Sequence, residues 1–204
     1  DNRPISQSAL NKLQESLNSD YFNAYIFSDF RHGIFNQETI PKLIDCLPTQ
    51  GLRVADSQVA SRWGNILDFK GFDLITPNEQ EVRFSLADQD SVIRPLALEL
   101  YKQAQCKTLI MKLGNKGILT YCAPSNSSGS FFSIDSFCEN LVDPIGAGDA
   151  LLAYSTLGMV ATNSPVISSI LGSFAAGVAC EIEGNNPVTP EAVINKLERV
   201  ENSL

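Results

Sequence analysis

Residues 141–149 read Leu-Val-Asp-Pro-Ile-Gly-Ala-Gly-Asp, and this stretch directs the interpretation of the whole chain. Two glycines flank one alanine where a turn opens a run of small and apolar residues, which predicts a helix over about 147–160. Glycine adopts backbone conformations that other residues resist, and it lets backbone N–H groups approach a bound oxygen atom closely. A helix start adds N–H donors and the positive end of the helix dipole. The stretch therefore predicts a pocket for a phosphate-like anion.

Asp149 follows the second glycine directly, so we expect it in the first turn of that helix. An ionised carboxylate beside an anion pocket is placed as a general base that takes a proton from an attacking hydroxyl group. Since phosphoryl transfer depends mainly on positioning and charge stabilisation, one base and a cradle of N–H groups suffice as its catalytic core. The alternative is a plain strand–turn–helix in which Asp149 only interacts with the helix dipole. No Gly-Lys-Ser/Thr follows, so this is not a P-loop.

On both sides of this stretch, short apolar strands alternate with helical segments. Strands are predicted at 24–27, 52–55, 72–76, 108–113, 117–123 and 130–134, the last two as a hairpin around the loop 124–129. Helices are predicted at 10–17, 40–47, from 78, at about 91–105, 147–160 and 165–181, and from 190. This alternation predicts an α/β fold, a doubly wound, mostly parallel sheet with helices on both faces. In such sheets ligands bind beyond the carboxyl ends of the strands.

Composition narrows the functional classes. The 204 residues are enough for one domain over 1–204, and the net charge of −8 argues against binding to nucleic acid or to an anionic membrane. One histidine, His32, excludes a histidine-rich metal site. The five scattered cysteines predict reduced core thiols of a cytoplasmic protein rather than a disulfide framework or a zinc site. No apolar run reaches membrane-spanning length.

The pattern Asp-x-x-Gly-Ala-Gly-Asp over 143–149 resembles the signature of the ribokinase-like sugar kinases, also called the phosphofructokinase-B or PfkB family. Two more segments resemble motifs of that family, in the same order. Thr-Pro-Asn-Glu-Gln-Glu over 76–81 resembles its Asn-x-x-Glu motif, and Lys-Leu-Gly-Asn-Lys-Gly over 112–117 resembles its nucleotide-site turn. The resemblance implies a ribokinase-like fold and an ATP-dependent carbohydrate kinase, a transferase that uses Mg²⁺ and moves the γ-phosphoryl group to a hydroxyl of a sugar or sugar phosphate.

The resemblance also implies roles for the residues of the glycine stretch. Asp149 would be the catalytic base, and the N–H groups of Gly146, Ala147 and Gly148 would form the anion hole for the transferring phosphoryl group. Asp143 would help to hold a monovalent cation such as K⁺, or it would only stabilise the turn before Pro144.

For the other two motifs, the resemblance implies a nucleotide site. Asn78 and Glu81 would help to place magnesium and phosphate, with Glu81 acting through water, but a helix-capping box alone would explain the same pair. Gly114 and Gly117 would lie against the nucleotide, or would only form a tight turn. Lys112 stands where the family usually has a hydroxyl residue, so it would either reach a phosphate or point to solvent.

A weaker resemblance concerns the acceptor. Asp-Phe-Arg-His-Gly over 29–33 follows a predicted strand and is similar to a loop of the heptose 7-phosphate kinase domain of bifunctional heptose enzymes. It implies that Asp29 and Arg31 contact the substrate; the alternative is an ion pair within the loop. His32 has no role in this family's chemistry.

Family members are longer, and their N-terminal part carries a glycine pair, sugar-binding residues and a lid. Only one helix is predicted before the strand that ends near Asp29, and the chain begins with Asp1 rather than Met. We therefore expect the C-terminal, nucleotide-binding and catalytic part of a kinase, with the N-terminal substrate and lid portion missing, little or no turnover by this part alone, and a homodimer for the full-length protein. Two alternatives are a nucleotide-binding module without catalysis and a kinase of a nucleoside or another alcohol.

Overall fold

The computed structural model describes residues 3–58, 65–123 and 129–202, and it divides into two compact units. The N-terminal unit comprises residues 1–109 and the C-terminal unit residues 110–204. Along the sheet the strands run in their order in the sequence, from β1 (Ala24–Asp29) through β2 (Leu52–Ser57), β3 (Leu74–Ile75), β4 (Thr108–Lys112) and β5 (Ile118–Cys122) to β6 (Ser130–Ile134).

In the N-terminal unit the strands pair in parallel. Ala24 lies opposite Leu52, Val54 opposite Leu74, and Leu74 opposite Thr108 at the start of β4. The helices are α1 (Gln7–Ser19), α2 (Thr39–Ile44), α3 (Glu79–Leu86) and α4 (Ile93–Ala104), with a short 3₁₀ helix at Ile66–Asp68. Residues 54–57 of β2 and both residues of β3 are buried, as expected of the inner strands of a parallel sheet, whereas Leu52 and Arg53 at the start of β2 are half-buried.

Four phenylalanines form the centre of this unit. The rings of Phe27, Phe69 and Phe72 contact each other edge to face, and Phe35 packs against Phe27 and Phe69, with ring centroids 5.2 to 6.0 Å apart. Edge-to-face geometry brings the positive ring edge to the negative ring face, so this cluster adds specific contacts to its apolar burial. It holds the end of β1 in place.

The C-terminal unit combines a hairpin with three helices. Strands β5 and β6 are antiparallel, with Ile118 opposite Ile134 and Cys122 opposite Ser130. The helices are α5 (Ala147–Thr162), α6 (Pro165–Cys180) and α7 (Pro190–Glu201). The Oγ1 of Thr189 caps α7 by accepting the N–H of Ala192, and Pro190 occupies the first position of the helix. The core of this unit is Ala150, Phe174, Ala175, Val178, Ala179 and Val193.

The fold class expected from the sequence is confirmed as α/β, here with a mixed six-stranded sheet. Strand β3 and helix α2 are shorter than the sequence predicts. Strand β3 keeps two residues of the predicted 72–76, although Thr76 still donates to the carbonyl of Ala55. Helix α2 ends at Ile44, because Cys46 and Leu47 bond to carbonyls three residues earlier and thereby tighten the last turn. The hairpin tip, residues 124–128, lies outside the described residues.

Two expectations from composition bear on the whole chain. Within the described ranges, no helix has the length and hydropathy needed to cross a bilayer. Of the five cysteines, Cys106 is buried and the other four are half-buried, so the prediction of core thiols is wrong for four of them. Cys46, Cys122 and Cys180 lie at or near the ends of secondary-structure elements and Cys138 lies in the connection between β6 and α5, where side chains are covered only in part. The prediction of a single domain over 1–204 stays a prediction.

Helices α5 and α6 approach closely because small residues face each other. A Cβ atom on Gly158 would lie 2.8 Å from the Cα of Ser168, and one on Gly172 would lie 2.0 Å from the Oγ of Ser155. Helix propensity alone would favour alanine over glycine inside a helix by about 1 kcal/mol. The two glycines are therefore explained by packing, which fixes the position of α5 against α6.

This packing predicts that Gly158→Ala lowers the free energy of unfolding by about 1–3 kcal/mol, although alanine is the better helix former. Urea unfolding followed by circular dichroism measures the change. The control is Ala153→Gly at an exposed position of α5, which should lose only the propensity difference of about 1 kcal/mol. A Gly158→Ala variant more stable than the parent protein would contradict the packing argument.

Candidate active site

The turn that precedes α5 is built on a left-handed glycine. Gly146 is the N-cap residue of α5 with φ 82° and ψ −10°, and a Cβ there would lie 2.5 Å from the Oδ1 of Asn185. Ala147, Gly148 and Asp149 form the first helical turn, with Asp149 half-buried. The N–H of Ala147 donates a long bond of 3.3 Å to the carbonyl of Pro144. The predicted anion hole and the predicted base thus share one helix start.

Asp143 ties this turn to the segment that follows α6. Its Oδ1 accepts the N–H of Ile145 at 3.0 Å, and its Oδ2 accepts the N–H of Gly184 at 3.1 Å. The N–H groups of Val142 and Asp143 both donate to the carbonyl of Cys180, at 2.8 and 3.1 Å. Asp143 therefore has the turn-stabilising role that the sequence left open as an alternative.

A buried lysine on α7 holds the start of the same segment. Lys196 is 1% exposed, and its Nζ lies 2.6 Å from Glu181 and 3.4 Å from Glu139. Glu181 also accepts the N–H of Glu139 at 2.8 Å. Burial raises the pKa of Glu181, but the bond from Lys196, the backbone donors of Glu139 and Asn140 and the charge of Lys196 outweigh it, so the pKa of Glu181 is lowered.

Lys112 ends β4 and reaches the glycine turn. Its Nζ lies 3.4 Å from the position that a Cβ on Gly148 would take. The first residue of the predicted nucleotide turn and the predicted anion hole are therefore neighbours in the C-terminal unit.

The rest of the 112–117 turn is a tight connection into β5. Gly117 donates to the carbonyl of Gly114 at 3.0 Å, and Leu113 donates to the carbonyl of Gly117 at 2.8 Å. Gly114 has φ 62° with open space around it, whereas Gly117 has φ 79° and ψ −129° and packs against β6. Backbone conformation alone explains both glycines, which is the tight turn that the sequence analysis gave as the alternative to a nucleotide contact.

In the N-terminal unit, Asn78 and Glu81 form the capping box of α3. The Oδ1 of Asn78 accepts the N–H of Glu81 at 2.8 Å, and the Oε2 of Glu81 accepts the N–H of Asn78 at 2.7 Å. Glu81 is buried, so its carboxylate is held in one orientation near the carboxyl end of β3.

Asp29 and Arg31 lie together at the carboxyl end of β1. The carboxylate of Asp29 accepts bonds from the N–H and the guanidinium of Arg31 and from the Oγ of Ser57. Arg31 has φ 61°, a left-handed conformation that the ion pair helps to hold. Burial raises the pKa of nearby Asp68, against the bond from Gln37 and the charge of Arg31. The ion pair expected as the alternative is therefore present, and His32 is exposed.

The sequence interpretation missed the residues that fix the glycine turn from behind: Glu139, Cys180, Glu181, Gly184, Asn185 and Lys196. Only one local signal pointed there, the run Glu-Gly-Asn-Asn-Pro over 183–187, which predicts a turn after α6. A buried lysine cannot be distinguished from an exposed one by composition, because α7 carries polar residues on its other faces.

Comparison with known proteins adds evolutionary evidence to this geometry. A model of the pfkB family of carbohydrate kinases matches residues 10–192. The chain is 24% identical over 206 residues to the bifunctional protein HldE of Sulfurimonas denitrificans, covering 98% of this chain and 40% of that protein. It therefore spans less than half the length of this relative.

Solved structures show the same fold at low identity. Phosphofructokinase-2 from Escherichia coli, in a complex with potassium, superposes with a TM-score of 0.79 at 17% identity, over 97% of this chain and 64% of that one. Ribokinase from Thermotoga maritima gives a TM-score of 0.70 at 19% identity, over 97% and 62%. At these identities the superpositions support the ribokinase-like fold and carry no residue roles.

The 112–117 turn predicts different effects for its two glycines. Gly117→Ala places a Cβ 2.0 Å from the carbonyl oxygen of Ile134 in a backbone region open mainly to glycine, so it should lower the unfolding free energy by about 3 kcal/mol. The matched control Gly114→Ala meets no atom within 4 Å and should lose about 1–2 kcal/mol from its left-handed conformation. Chemical denaturation compares them, and equal losses would contradict this assignment.

We expect that removing the charge of Lys196 changes how the free energy of unfolding depends on pH. Lys196→Met removes both ion pairs but keeps an apolar stem, and it should cost about 2 kcal/mol at about pH 7. Because folding lowers the pKa of Glu181 from 4.5, its contribution is present above that value and is lost as the pH falls through the lowered pKa.

The Lys196→Met variant should therefore lose less stability than the parent protein between about pH 6 and about pH 3. Urea unfolding at several pH values measures this difference. Lys102→Met, at an exposed position of α4, is the control for loss of one surface charge and should follow the parent curve. Parallel curves for Lys196→Met and the parent protein would refute the coupling to Glu181.

Proposed function

Because the chain belongs to the pfkB family of carbohydrate kinases, we propose that it acts as an ATP-dependent kinase of a sugar or sugar phosphate. The observation that carries the proposal is the family match over 10–192 together with an intact Gly-Ala-Gly-Asp at the start of α5. A left-handed glycine, a helix start and a carboxylate in its first turn are the parts that phosphoryl transfer to an alcohol requires.

In this mechanism Asp149 is the general base. Its carboxylate accepts the proton of the acceptor hydroxyl as that oxygen bonds to the γ-phosphorus of ATP, and the bond between the γ-phosphorus and the bridging oxygen of ADP breaks. Negative charge spreads over the transferring phosphoryl oxygens during this step. The N–H groups of Gly146 and Gly148 stabilise that charge at the positive end of α5, together with the N–H of Ala147 once it exchanges its 3.3 Å bond to the Pro144 carbonyl for a phosphoryl oxygen.

We assign the remaining nucleotide contacts to the other two motifs. Lys112, Gly114 and Gly117 border the nucleotide in the C-terminal unit. Asn78 and Glu81 orient magnesium and phosphate, with Glu81 acting through water. A bound magnesium ion would neutralise part of the phosphate charge.

The residues present suit such a magnesium ion. The buried Glu81 carboxylate is oriented by the N–H of Asn78. Within the described parts of the chain, no group of three or more histidine, cysteine or acidic residues forms a metal cluster. Magnesium needs only one or two protein carboxylates when phosphates and waters complete its shell, so these residues fit an ion carried by the nucleotide.

Asp143 is the proposed contact for a monovalent cation. Each of its oxygens accepts one backbone N–H, and a carboxylate oxygen has a second lone pair that a cation can use. The potassium complex of the E. coli phosphofructokinase-2 makes K⁺ the first ion to test.

For the acceptor we propose a sugar phosphate, with heptose 7-phosphate as the first compound to test. Support comes from the loop Asp-Phe-Arg-His-Gly over 29–33 and from the relatives named HldE. Asp29 and Arg31 lie at the carboxyl end of β1, the edge of a parallel sheet where substrates bind. Use of ATP is consistent with a cytoplasmic location.

The test of the function is a coupled assay of ADP release over heptose 7-phosphate, fructose 6-phosphate, ribose and a nucleoside. Asp149→Asn should lower kcat by about 10²- to 10⁴-fold, because the amide cannot accept the proton, while ATP affinity stays within about 3-fold. Asp90→Asn, an exposed carboxylate before α4, is the control and should be unaffected.

The outcomes of this assay separate the competing functions. Full turnover by Asp149→Asn would refute the assigned mechanism. Nucleotide binding without turnover of any acceptor, by a protein that also carries the N-terminal substrate portion, would instead favour a binding module.

A further inference from the structure

Two cysteines of the C-terminal unit lie on segments of chain that contact each other. Cys138 belongs to the connection between β6 and α5, and Cys180 is the last residue of α6. A Cβ on Gly177, one helical turn before Cys180, would lie 3.2 Å from the backbone N of Cys138. One residue further along each segment, the N–H of Glu139 donates to the Oε1 of Glu181 at 2.8 Å. The connection therefore passes the last turn of α6 at Cys138.

An aromatic stack holds the connection in this position. The ring of Phe137 stacks on that of Phe174 in α6, with centroids 3.9 Å apart and an angle of 10° between the ring planes. Phe174 belongs to the buried core of the C-terminal unit, so the stack ties the connection to that core. Cys138 is therefore fixed from both sides, by the stack before it and by the bond of Glu139 after it.

The side chains of the two cysteines also contact each other. A hydrogen bond joins their thiol groups, and both side chains are half-buried. Burial, the charge of Cys138 and the bond between the thiols together raise the pKa of Cys180 to about 11. The carboxylates of Glu181 and Asp143 act in the same direction. Cys180 is therefore the protonated member of the pair at neutral pH.

The other three cysteines have different surroundings. Cys46 donates to the carbonyl of Lys42 at 3.2 Å, the thiol of Cys122 is bonded to the side chain of Ser130, and Cys106 is buried. All five cysteines lie within the described residues, and the pair in the C-terminal unit is the one in which two thiols contact each other. Contact and partial exposure are the conditions for thiol–disulfide exchange, so this pair meets them.

We propose that Cys138 and Cys180 form a reversible disulfide when the protein meets a thiol oxidant such as glutathione disulfide, and that this bond fixes the approach to the glycine turn. The proposal goes beyond the proposed function and needs no nucleotide. The structure holds the pair in its reduced form. A disulfide that forms and breaks with the redox state is the kind found in proteins of reducing compartments.

The reaction proceeds by two exchanges. The sulfur of Cys138 attacks glutathione disulfide, which forms a mixed disulfide on Cys138 and releases one glutathione. The sulfur of Cys180 then attacks the sulfur of Cys138, which forms the protein disulfide and releases the second glutathione. The two thiol protons of the protein end on the two glutathione thiols, so the protein is oxidised by two electrons and the oxidant is reduced by two.

The disulfide acts on the glycine turn through the carbonyl of Cys180. This carbonyl accepts the N–H groups of Val142 and Asp143 at 2.8 and 3.1 Å. A covalent bond from Cys138 to Cys180 would tie the short segment 138–143 to the end of α6 at both of its ends. Opening of these two hydrogen bonds then requires a larger local rearrangement, so they open less often in the oxidised protein.

The experiment treats the protein with glutathione disulfide, blocks the remaining thiols with iodoacetamide and maps the products by peptide mass spectrometry. The expected product is a crosslinked pair of peptides that contain Cys138 and Cys180, which dithiothreitol separates again. Cys180→Ser should instead accumulate glutathione on Cys138. Cys122→Ser removes another half-buried thiol of the same unit and is the matched control, so it should form the crosslink within about 2-fold of the parent rate.

Amide hydrogen exchange measures the effect on the glycine turn. Exchange of the Val142 and Asp143 amides should slow by about 10-fold on oxidation and return to its original rate with dithiothreitol. The Ile110 amide in β4 is the internal control and should keep its rate. Cys138→Ser treated with the same oxidant should show no slowing, which separates the disulfide from glutathione attached at other cysteines.

The outcomes test each part of the proposal. Glutathione attached to single cysteines of the parent protein, without the crosslink, would overturn the disulfide. A crosslink with unchanged exchange at Val142 and Asp143 would overturn its action on the glycine turn. Both measurements are made without ATP, so neither result depends on the kinase activity, which the assay of ADP release tests separately.

Discussion

The start of α5 is the constraint on which the proposed chemistry depends. The first N–H groups of a helix can reach a ligand only where the preceding chain turns away from the helix axis. Gly146 makes this turn possible through its left-handed conformation. The approach to Gly146 is fixed in turn by Asp143, which accepts from Ile145 and Gly184, and by the carbonyl of Cys180. A shift of this segment would move the N–H groups and the carboxylate of Asp149 together.

Close helix packing extends this constraint into the C-terminal unit. Gly158 lets α5 approach the backbone of α6, and the hydroxyl of Ser168 donates to the carbonyl of Ser155 at 2.6 Å. Helix α6 ends at Cys180, whose carbonyl accepts two N–H groups of the glycine turn, and Lys196 of α7 binds Glu181 just after it. The glycine turn is therefore held by α6 and α7 as well as by α5, which it precedes. A buried ion pair contributes little net stability, but it can hold its partners in one arrangement, which the proposed phosphate site would require.

Charge would give the proposed site its selectivity. The protein is acidic overall, so an anionic nucleotide is not drawn to its surface at large. Attraction would be confined to places such as the proposed anion pocket, where the N–H groups of a helix start lie close to Lys112. In the N-terminal unit, the charge of Asp29 is instead compensated by the side chain of Arg31, two residues away.

Local patterns in the sequence determined the helices and strands, the capping box of Asn78 and Glu81, and the position of Asp149 in a helix start, because these depend on residues a few positions apart. Only the tertiary structure decided which groups hold the glycine turn. Lys196 is 15 residues from Glu181 and 57 from Glu139, and Gly184 is 41 residues from Asp143. No periodicity connects such positions. They meet because the packing of α5, α6 and α7 brings their ends to one loop, and the same folding sets Lys112 against Gly148.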